Sequence, residues 1–361
     1  MQILCPTCNT SYDIPDGKIP LKRNRVTCKK CAGQIVVGPE FESQAGFLRN
    51  HREISDQSAH LPSSTMNRES GELALLAEYP ELQGLNSQKF DFKAIFSPNK
   101  KGRFKGRKNN LKLKILKAVY EVLEQRILGN GEKVSQVGKG TAFYPAEAFF
   151  GNGFLTMAYN HYALVCTNKR LLLINVNSRI THPTHYFFQI PYENIESVKR
   201  GRFSGSLVVN PARGRRRTFV FMKGYFSNDL KQFIQEKRNA LGPPGKSSEL
   251  LDNLCPSCFV PLKKGLVTCP QCRARFKESK KAFLRSLLLP GLGDIYLGHR
   301  ALGILEMIGS VMVWAVALSL LLSGDEIGLT LPVFLVLFYN GVDGALTYHM
   351  AKKGYMLEKS I

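Results

Sequence analysis

The sequence predicts a multidomain α+β membrane protein. It would carry two small cysteine-rich modules, one β-rich domain closed by a helix, and a helical hairpin that crosses a bilayer. Three observations carry this prediction. Two apolar segments, Leu302–Leu322 and Ile327–Tyr348, flank the short polar turn Ser323-Gly324-Asp325-Glu326. Eight of the nine cysteines fall into four Cys-x-x-Cys pairs. Between the pairs, short apolar runs alternate with turns from Tyr162 to Met222 and end on an amphipathic stretch.

The first apolar segment holds 21 residues, about 31 Å as a helix, against a hydrocarbon core about 30 Å thick. The second is similar, so each can span. Lys277, Lys280, Lys281, Arg285 and Arg300 precede the hairpin and Lys352 and Lys353 follow it, whereas the turn holds only acids. Positive residues stay inside. The expected location is therefore the cytoplasmic (inner) membrane, with two spans and both termini cytoplasmic. Met1-Gln2-Ile3-Leu4-Cys5 lacks an apolar run after a basic start and predicts no secretory signal.

The chain is 361 residues long with a formal charge of +22. A balance this basic attracts anionic lipid or nucleic acid, and charge does not choose between them. In a reducing cytoplasm, clustered cysteines mean metal rather than disulfides.

Residues 1–38 form the first metal module. Cys5-Pro6-Thr7-Cys8 and Cys28-Lys29-Lys30-Cys31 lie nineteen residues apart, a spacing that suits four thiolates around one zinc ion. So small a module has little core, and the metal supplies the missing stability. The opening Ile3-Leu4-Cys5-Pro6-Thr7-Cys8 and the closing Cys28-Lys29-Lys30-Cys31 resemble short bacterial zinc-ribbon fingers.

Residues 39–110 read as a polar, basic linker with one short helix at Glu72–Glu78. His51 and His60 have no nearby partners and read as solvated. Nine Lys or Arg and no acid occur from Lys100 to Lys117. Such a block either binds an anionic surface or stays a solvated tether.

Residues 111–241 form the β-rich domain with a leading helix. Leu113, Leu116, Val119, Tyr120, Leu123 and Ile127 recur at helical spacing until Gly129-Asn130-Gly131. Strands are expected at Tyr162–Thr167, Arg170–Val176, Tyr186–Ile190, Ile195–Arg200, Ser206–Val209 and Thr218–Met222, with a closing helix at Asn228–Arg238. Cys166, inside an apolar run, reads as a small buried hydrophobe.

Ala163-Leu164-Val165-Cys166-Thr167-Asn168-Lys169-Arg170-Leu171-Leu172-Leu173-Ile174 resembles the strand, Thr-Asn-x-Arg, strand signature of bacterial pleckstrin-homology domains. Ile190-Pro191-Tyr192-Glu193-Asn194-Ile195-Glu196-Ser197-Val198 resembles their next strand pair. The resemblance covers Gly129–Asn239 and implies a barrel closed by a helix. Such domains bind lipids, peptides or neighbouring domains. Lys139–Tyr159, rich in Gly, Phe and Tyr, departs from the pattern as an insertion or an irregular first pair of strands.

Arg213, Arg215, Arg216 and Arg217 fall in a turn between two of these strands, and Lys199, Arg200 and Arg202 lie nearby. Guanidinium groups on such a loop pair with phosphate, or simply make a basic tip. His182 and His185 share a loop without a third ligand and read as structural or exposed.

Residues 250–278 form the second metal module. Cys255-Pro256-Ser257-Cys258 and Cys269-Pro270-Gln271-Cys272 lie ten residues apart, with Pro second in each pair. Two structural Zn2+ sites are thus expected in the chain.

Residues 282–350 hold a juxtamembrane helix and the hairpin. The basic run Arg273–Arg285, with Lys280 and Lys281, suits an anionic leaflet. Leu289-Pro290-Gly291-Leu292-Gly293-Asp294-Ile295-Tyr296-Leu297-Gly298, Gly303-Ile304-Leu305 and the late Asp343 resemble a two-helix transmembrane hairpin family found at bacterial protein termini. Glu306 and Asp343 sit toward the cytoplasmic ends of the spans. They read as anchors that reach headgroups, Arg300 or Lys352. Gly341 and Gly344 permit close helix approach, within the hairpin or in a homo-oligomer.

No phosphate loop, His-Glu-x-x-His or nucleophile elbow occurs, so no enzyme is expected. The expected function is a non-enzymatic membrane-anchored zinc-binding adaptor for protein partners or anionic lipid. A membrane-tethered nucleic-acid-binding regulator and a small channel component are the alternatives.

Overall fold

The computed structural model describes residues 2–4, 11–13, 24–31, 34–37, 73–98, 103–150, 157–201, 205–214, 216–242, 252–323 and 330–358. The chain divides into two units, Met1–Pro62 and Ser63–Ile361.

In the first unit, β1 (Gln2–Leu4) pairs antiparallel with β2 (Ser11–Asp13), and β3 (Asn24–Thr27) with β4 (Gln34–Val37). The first cysteine pair lies in the chain between β1 and β2, and the second between β3 and β4. Cys5 and Cys8 themselves fall outside the described residues.

The second unit is built on a curled antiparallel half-barrel sheet. Its strands are β5 (Val134–Ala142), β6 (His161–Thr167), β7 (Arg170–Val176), β8 (Pro183–Pro191), β9 (Ile195–Arg200), β10 (Leu207–Pro211), β11 (Arg217–Val220), β12 (Asn253–Leu254) and β13 (Pro261–Leu262). The order is β13-β12-β8-β7-β6-β5-β11-β10-β9. Two meanders, β5 to β8 and β9 to β11, therefore join where Phe219 faces Ala142 and Val220 faces Thr141. β6 and β7 are buried almost from end to end, because both faces of the sheet are covered there.

The strand β5 runs into the start of Lys139–Tyr159, the stretch read as an insertion or an irregular first pair of strands, and it contains Gly138 and Gly140. Both glycines answer to packing. A Cβ at Gly138 would sit 2.7 Å from Cδ1 of Leu230, and one at Gly140 2.9 Å from Cβ of Phe219. Leu230 belongs to the helix Gly224–Ala240, which presses onto this bare backbone.

The helices are α1 (Arg107–Val122), α2 (Pro145–Phe150), α3 (Gly224–Ala240), α4 (Ser279–Leu288), α5 (Leu292–Leu297), α6 (Arg300–Leu322) and α7 (Thr330–Ala351). The expected closing helix is α3, longer by a turn at its start.

The reading of 39–110 as a linker is corrected over its described part. Leu75, Tyr79, Leu82, Phe90, Phe92, Ile95 and Phe96 are buried in the same core as the sheet. Phe90 bridges Val134 at the start of β5. These apolar residues are scattered among polar ones, so no periodic run advertises them. The basic block likewise is no free tether where it is described. Lys112 on α1 is fully buried and donates to the Ile95 carbonyl at 2.5 Å and to Oε1 of Gln136 at 3.1 Å. Burial, with Lys108 adding and Asp229 opposing, lowers its pKa to about 8. Lys108 pairs with Asp229 of α3 at 2.7 Å.

The Thr-Asn-x-Arg segment turns out to be a structural clasp. Arg170 donates through Nε and Nη2 to the two carboxylate oxygens of Glu132, each at 2.9 Å. The Thr167 hydroxyl donates to Glu132 at 2.8 Å, and Asn168 reaches the Gly131 carbonyl at 2.9 Å. Burial opposes ionisation of Glu132, but Arg170, the Thr167 hydroxyl and the Gly129 N–H outweigh it and hold the carboxyl below its usual range.

α4 packs along α7: Ser286 and Thr347 hydroxyls lie 3.0 Å apart, and Nδ2 of Asn340 donates to the Leu287 carbonyl at 3.1 Å. The end of α7 docks on the sheet. The Tyr186 hydroxyl donates to the Met350 carbonyl at 2.9 Å, and Lys353 pairs with Glu147 of α2 at 2.6 Å. One core runs from Leu75 through the sheet to Met350 and Met356.

The anchoring role read for Glu306 and Asp343 is also corrected. Both are buried at 8% and 6% exposure. Neither forms an ion pair with Arg300, Lys352 or any other cation among the described residues. They face Asp294 instead.

Candidate metal centre

Cys255, Cys258, Cys269 and Cys272 converge, with their four sulfurs within 4.8 Å of one another. Two of the separations are 3.7 Å, from Cys255 to Cys272, and 3.6 Å, from Cys258 to Cys269. Four sulfurs each about 2.3 Å from a zinc ion form a tetrahedron with edges of about 3.8 Å. The two short separations match that edge, and all four sulfurs lie close enough together to share one zinc ion.

The two halves of the site repeat one local design. Cys255 N–H donates to the Val260 carbonyl and Cys269 N–H to the Ala274 carbonyl, both at 2.9 Å. Phe259 N–H returns to the Cys255 carbonyl at 2.9 Å, and Arg273 N–H to the Cys269 carbonyl at 3.0 Å. The fourth residue after each leading cysteine, Phe259 or Arg273, takes a left-handed φ of 59° or 57°. A proline follows the leading cysteine in both, which preorganises the turn. The turn also aims N–H groups at sulfur, as Ser257 N–H shows at 3.4 Å from Sγ of Cys255.

Cys255 and Cys269 are buried, Cys258 is half-buried and Cys272 exposed. In the metal-free protein burial pushes the Cys255 thiol up. Burial also works against the Cys272 thiolate. There the Ala274 N–H and the neighbouring thiols outweigh it and bring the group down to about 7. A zinc ion held there would have four protein ligands, the closed set of a structural site with no open position for a substrate. Leu262, Phe276, Tyr355 and Leu357 cover it.

Two of those covering residues come from beyond the helical hairpin. Leu357 bridges Phe276, Lys277 N–H donates to the Met356 carbonyl and Glu358 N–H to the Arg275 carbonyl, the last two at 2.9 Å. On the opposite side, Asn253 of β12 pairs with Phe188 of β8. The metal module is thus bolted to the sheet at one edge and to the end of the hairpin at the other.

At the N-terminus, Cys28 is buried at 2% exposure and Cys31 is exposed, a split like that of Cys269 and Cys272. Residues 1–36 match the family model of a zinc-ribbon domain. The first module is a zinc ribbon. No curated protein matches the chain.

Among the described residues singled out for phosphate, the arginines lie at the β10–β11 turn and on β11 and the lysines on α4. Arg213 and Arg216 lie exposed in the β10–β11 turn, and Arg215 falls outside the described residues. Arg217 lies on β11 with its guanidinium 4.6 Å from the centre of the Phe188 ring. Lys280 is exposed on α4, and Lys281 beside it pairs with Glu278 at 2.5 Å. Cys166 is fully buried, which pushes its thiol up to about 12. His182 and His185 do not converge on a metal site. His185 packs edge-on against His299 with ring centres 5.7 Å apart.

Asp294 is the residue that sequence reading misses. It sits inside the Pro-Gly-x-Gly turn pattern and reads there only as part of that turn. Its carboxylate is fully buried beside those of Glu306 and Asp343, and the signal for it is a third acid shortly before the first span.

Proposed function

We propose that the protein is a non-enzymatic adaptor anchored in the cytoplasmic membrane. It would present its zinc modules and a pleckstrin-homology-like domain at the cytoplasmic face, toward protein partners or anionic lipid. The observation that carries this reading is the outer surface of α6 and α7. Both helices are long and apolar enough to cross a membrane. Ile304, Ile308, Val311, Met312, Phe334 and Phe338 all point outward, with Met312 at 67% exposure. Apolar area of that extent on a water-soluble protein would drive aggregation, whereas lipid covers it at no cost.

Two meanders closed by α3 support the pleckstrin-homology-like reading of the sheet. On α4, Leu284 and Leu288 are exposed next to Lys280 and Lys281, a pattern suited to the headgroup boundary. The contacts of Lys353 and Tyr186 would then hold the sheet domain close to the bilayer rather than on a free tether.

Flotation of the full-length protein with reconstituted vesicles, followed by alkaline carbonate washing, tests the anchor. Retention in the vesicle fraction is expected. Release by carbonate refutes spanning, and cleavage of the sheet domain by protease added outside sealed cytoplasmic-membrane vesicles of native orientation refutes the cytoplasmic placement.

A further inference from the structure

A second built cluster lies at the Arg300 end of the helical hairpin. Asp294 on α5, Glu306 on α6 and Asp343 on α7 bring carboxylate oxygens within 4.8 Å of one another. Their exposures are 0%, 8% and 6%. The socket around them is rigid because backbone meets backbone. A Cβ on Gly303 would lie 2.5 Å from the Gly291 carbonyl oxygen, and one on Gly293 2.4 Å from that of Ala282.

Asp294 and Asp343 have partners. Gly291 N–H donates to Oδ2 of Asp343 at 3.0 Å, and the Thr347 hydroxyl to Oδ2 of Asp294 at 2.9 Å. Nδ1 of His299 lies 3.3 Å from Oδ1 of Asp294. Glu306 is different. It is more than nine-tenths buried, its carboxylate reaches toward both aspartates, and no donor meets its Oε2. No Lys or Arg among the described residues pairs with any of the three acids.

Adjacent carboxylates away from water repel strongly, and a buried charge without a partner is costly. A cation seated among them removes both costs. Oxygens held by one hard cation at 2.0–2.6 Å are at most about 4–5 Å apart, so the observed cluster is compact enough to share one. The donor set is oxygen throughout, which selects hard cations over the soft metals that thiolates prefer. We infer that Asp294, Glu306 and Asp343 form a binding site for a hard divalent cation of the magnesium, manganese and calcium class. The cation ties α5, α6 and α7 together. This site is separate from the zinc centre and does not depend on the adaptor reading.

The test uses the zinc-loaded full-length protein in a neutral detergent and Mn2+ as the probe, with free Mn2+ followed by electron paramagnetic resonance. The wild type is expected to take up about one Mn2+ per chain, and Glu306→Gln and Asp343→Asn to weaken that uptake at least tenfold with zinc content unchanged. Uptake equal in wild type and both variants overturns the site, as does no uptake by the wild type, which would leave a shared proton as the neutralising cation. The wild type alone gives a second reading that survives a variant failing to fold. Its melting temperature rises over the same Mn2+ range. No rise overturns the inference.

Discussion

The contact between Lys353 and Glu147 decides whether the hairpin and the sheet are one body, and it can be tested quantitatively. Lys353 Nζ lies 2.6 Å from Oε1 and 2.7 Å from Oε2 of Glu147, 2.9 Å from Oδ1 of Asn160, and 4.3 Å from the centre of the Tyr144 ring. The two charged side chains are 6% and 4% exposed. Lys353→Met keeps the stem and removes the cation, which strands a buried carboxylate. The cost of breaking such a pair from one side is about 3–5 kcal/mol. Glu147→Gln alone strands the ammonium, at similar cost. The double variant removes both charges and lets the amide introduced at position 147 bond Asn160, so its loss should fall short of the sum of the two single losses by about 2–3 kcal/mol. Guanidinium unfolding of the full-length protein in neutral detergent, followed by near-ultraviolet circular dichroism of the tyrosine-rich sheet, measures all three. Single losses below about 1 kcal/mol that simply add in the double variant would show that the docking does not exist in solution.

Two further perturbations follow from groups outside the helical hairpin. Chelation of zinc should make Cys272, exposed and poised near 7, the fastest-alkylated cysteine of the second module, while Cys166, held near 12 by burial, stays unmodified until global unfolding; peptide mapping by mass spectrometry reads both. Burial lowers the pKa of His161, with Lys139 adding, and that of His185, with His299 and Lys277 adding, from 6.5 to about 4 in each case. The unfolded chain therefore binds more protons between those values, and stability should fall as pH drops from about 6.5 to about 4. In a pH series of melting temperatures, His161→Asn and His185→Gln should each flatten that slope, and an unchanged slope in both would remove the histidines as its cause.

Sequence patterning reveals those features whose signal is local. The cysteine pairs fix their knuckles within five residues, the runs Tyr162–Thr167 and Arg170–Val176 alternate with an obvious turn, and the two hairpin segments stay apolar over a full bilayer thickness. Features that depend on distant partners are hidden. Gly138 and Gly140 argue against a strand until Leu230 and Phe219 are seen to occupy the space above them. Lys112 looks like one more charge in a basic block, because its acceptors at Ile95 and Gln136 lie seventeen and twenty-four positions away. The core-forming aromatics of residues 79–104 lack any period, since short irregular turns rather than one long element deliver them. Glu306 and Asp343 look accessible to headgroups from their depth alone. The close glycine crossing of Gly291 and Gly303 that encloses them does not show in a hydropathy pattern.

The segment Tyr355–Leu357, packed beside the second metal module, sets an order on assembly. The cysteines of the second module are made before the hairpin, yet the residues that cover their metal are made after it. On the proposed spanning of α6 and α7, the ribosome would have to finish both and the chain return to its starting side before the module could close. A hairpin of which only one helix inserts would strand Leu357 across the membrane from Phe276 and leave the thiols uncovered. Metal capture would then report on correct insertion, with thiol exposure marking the molecules that failed.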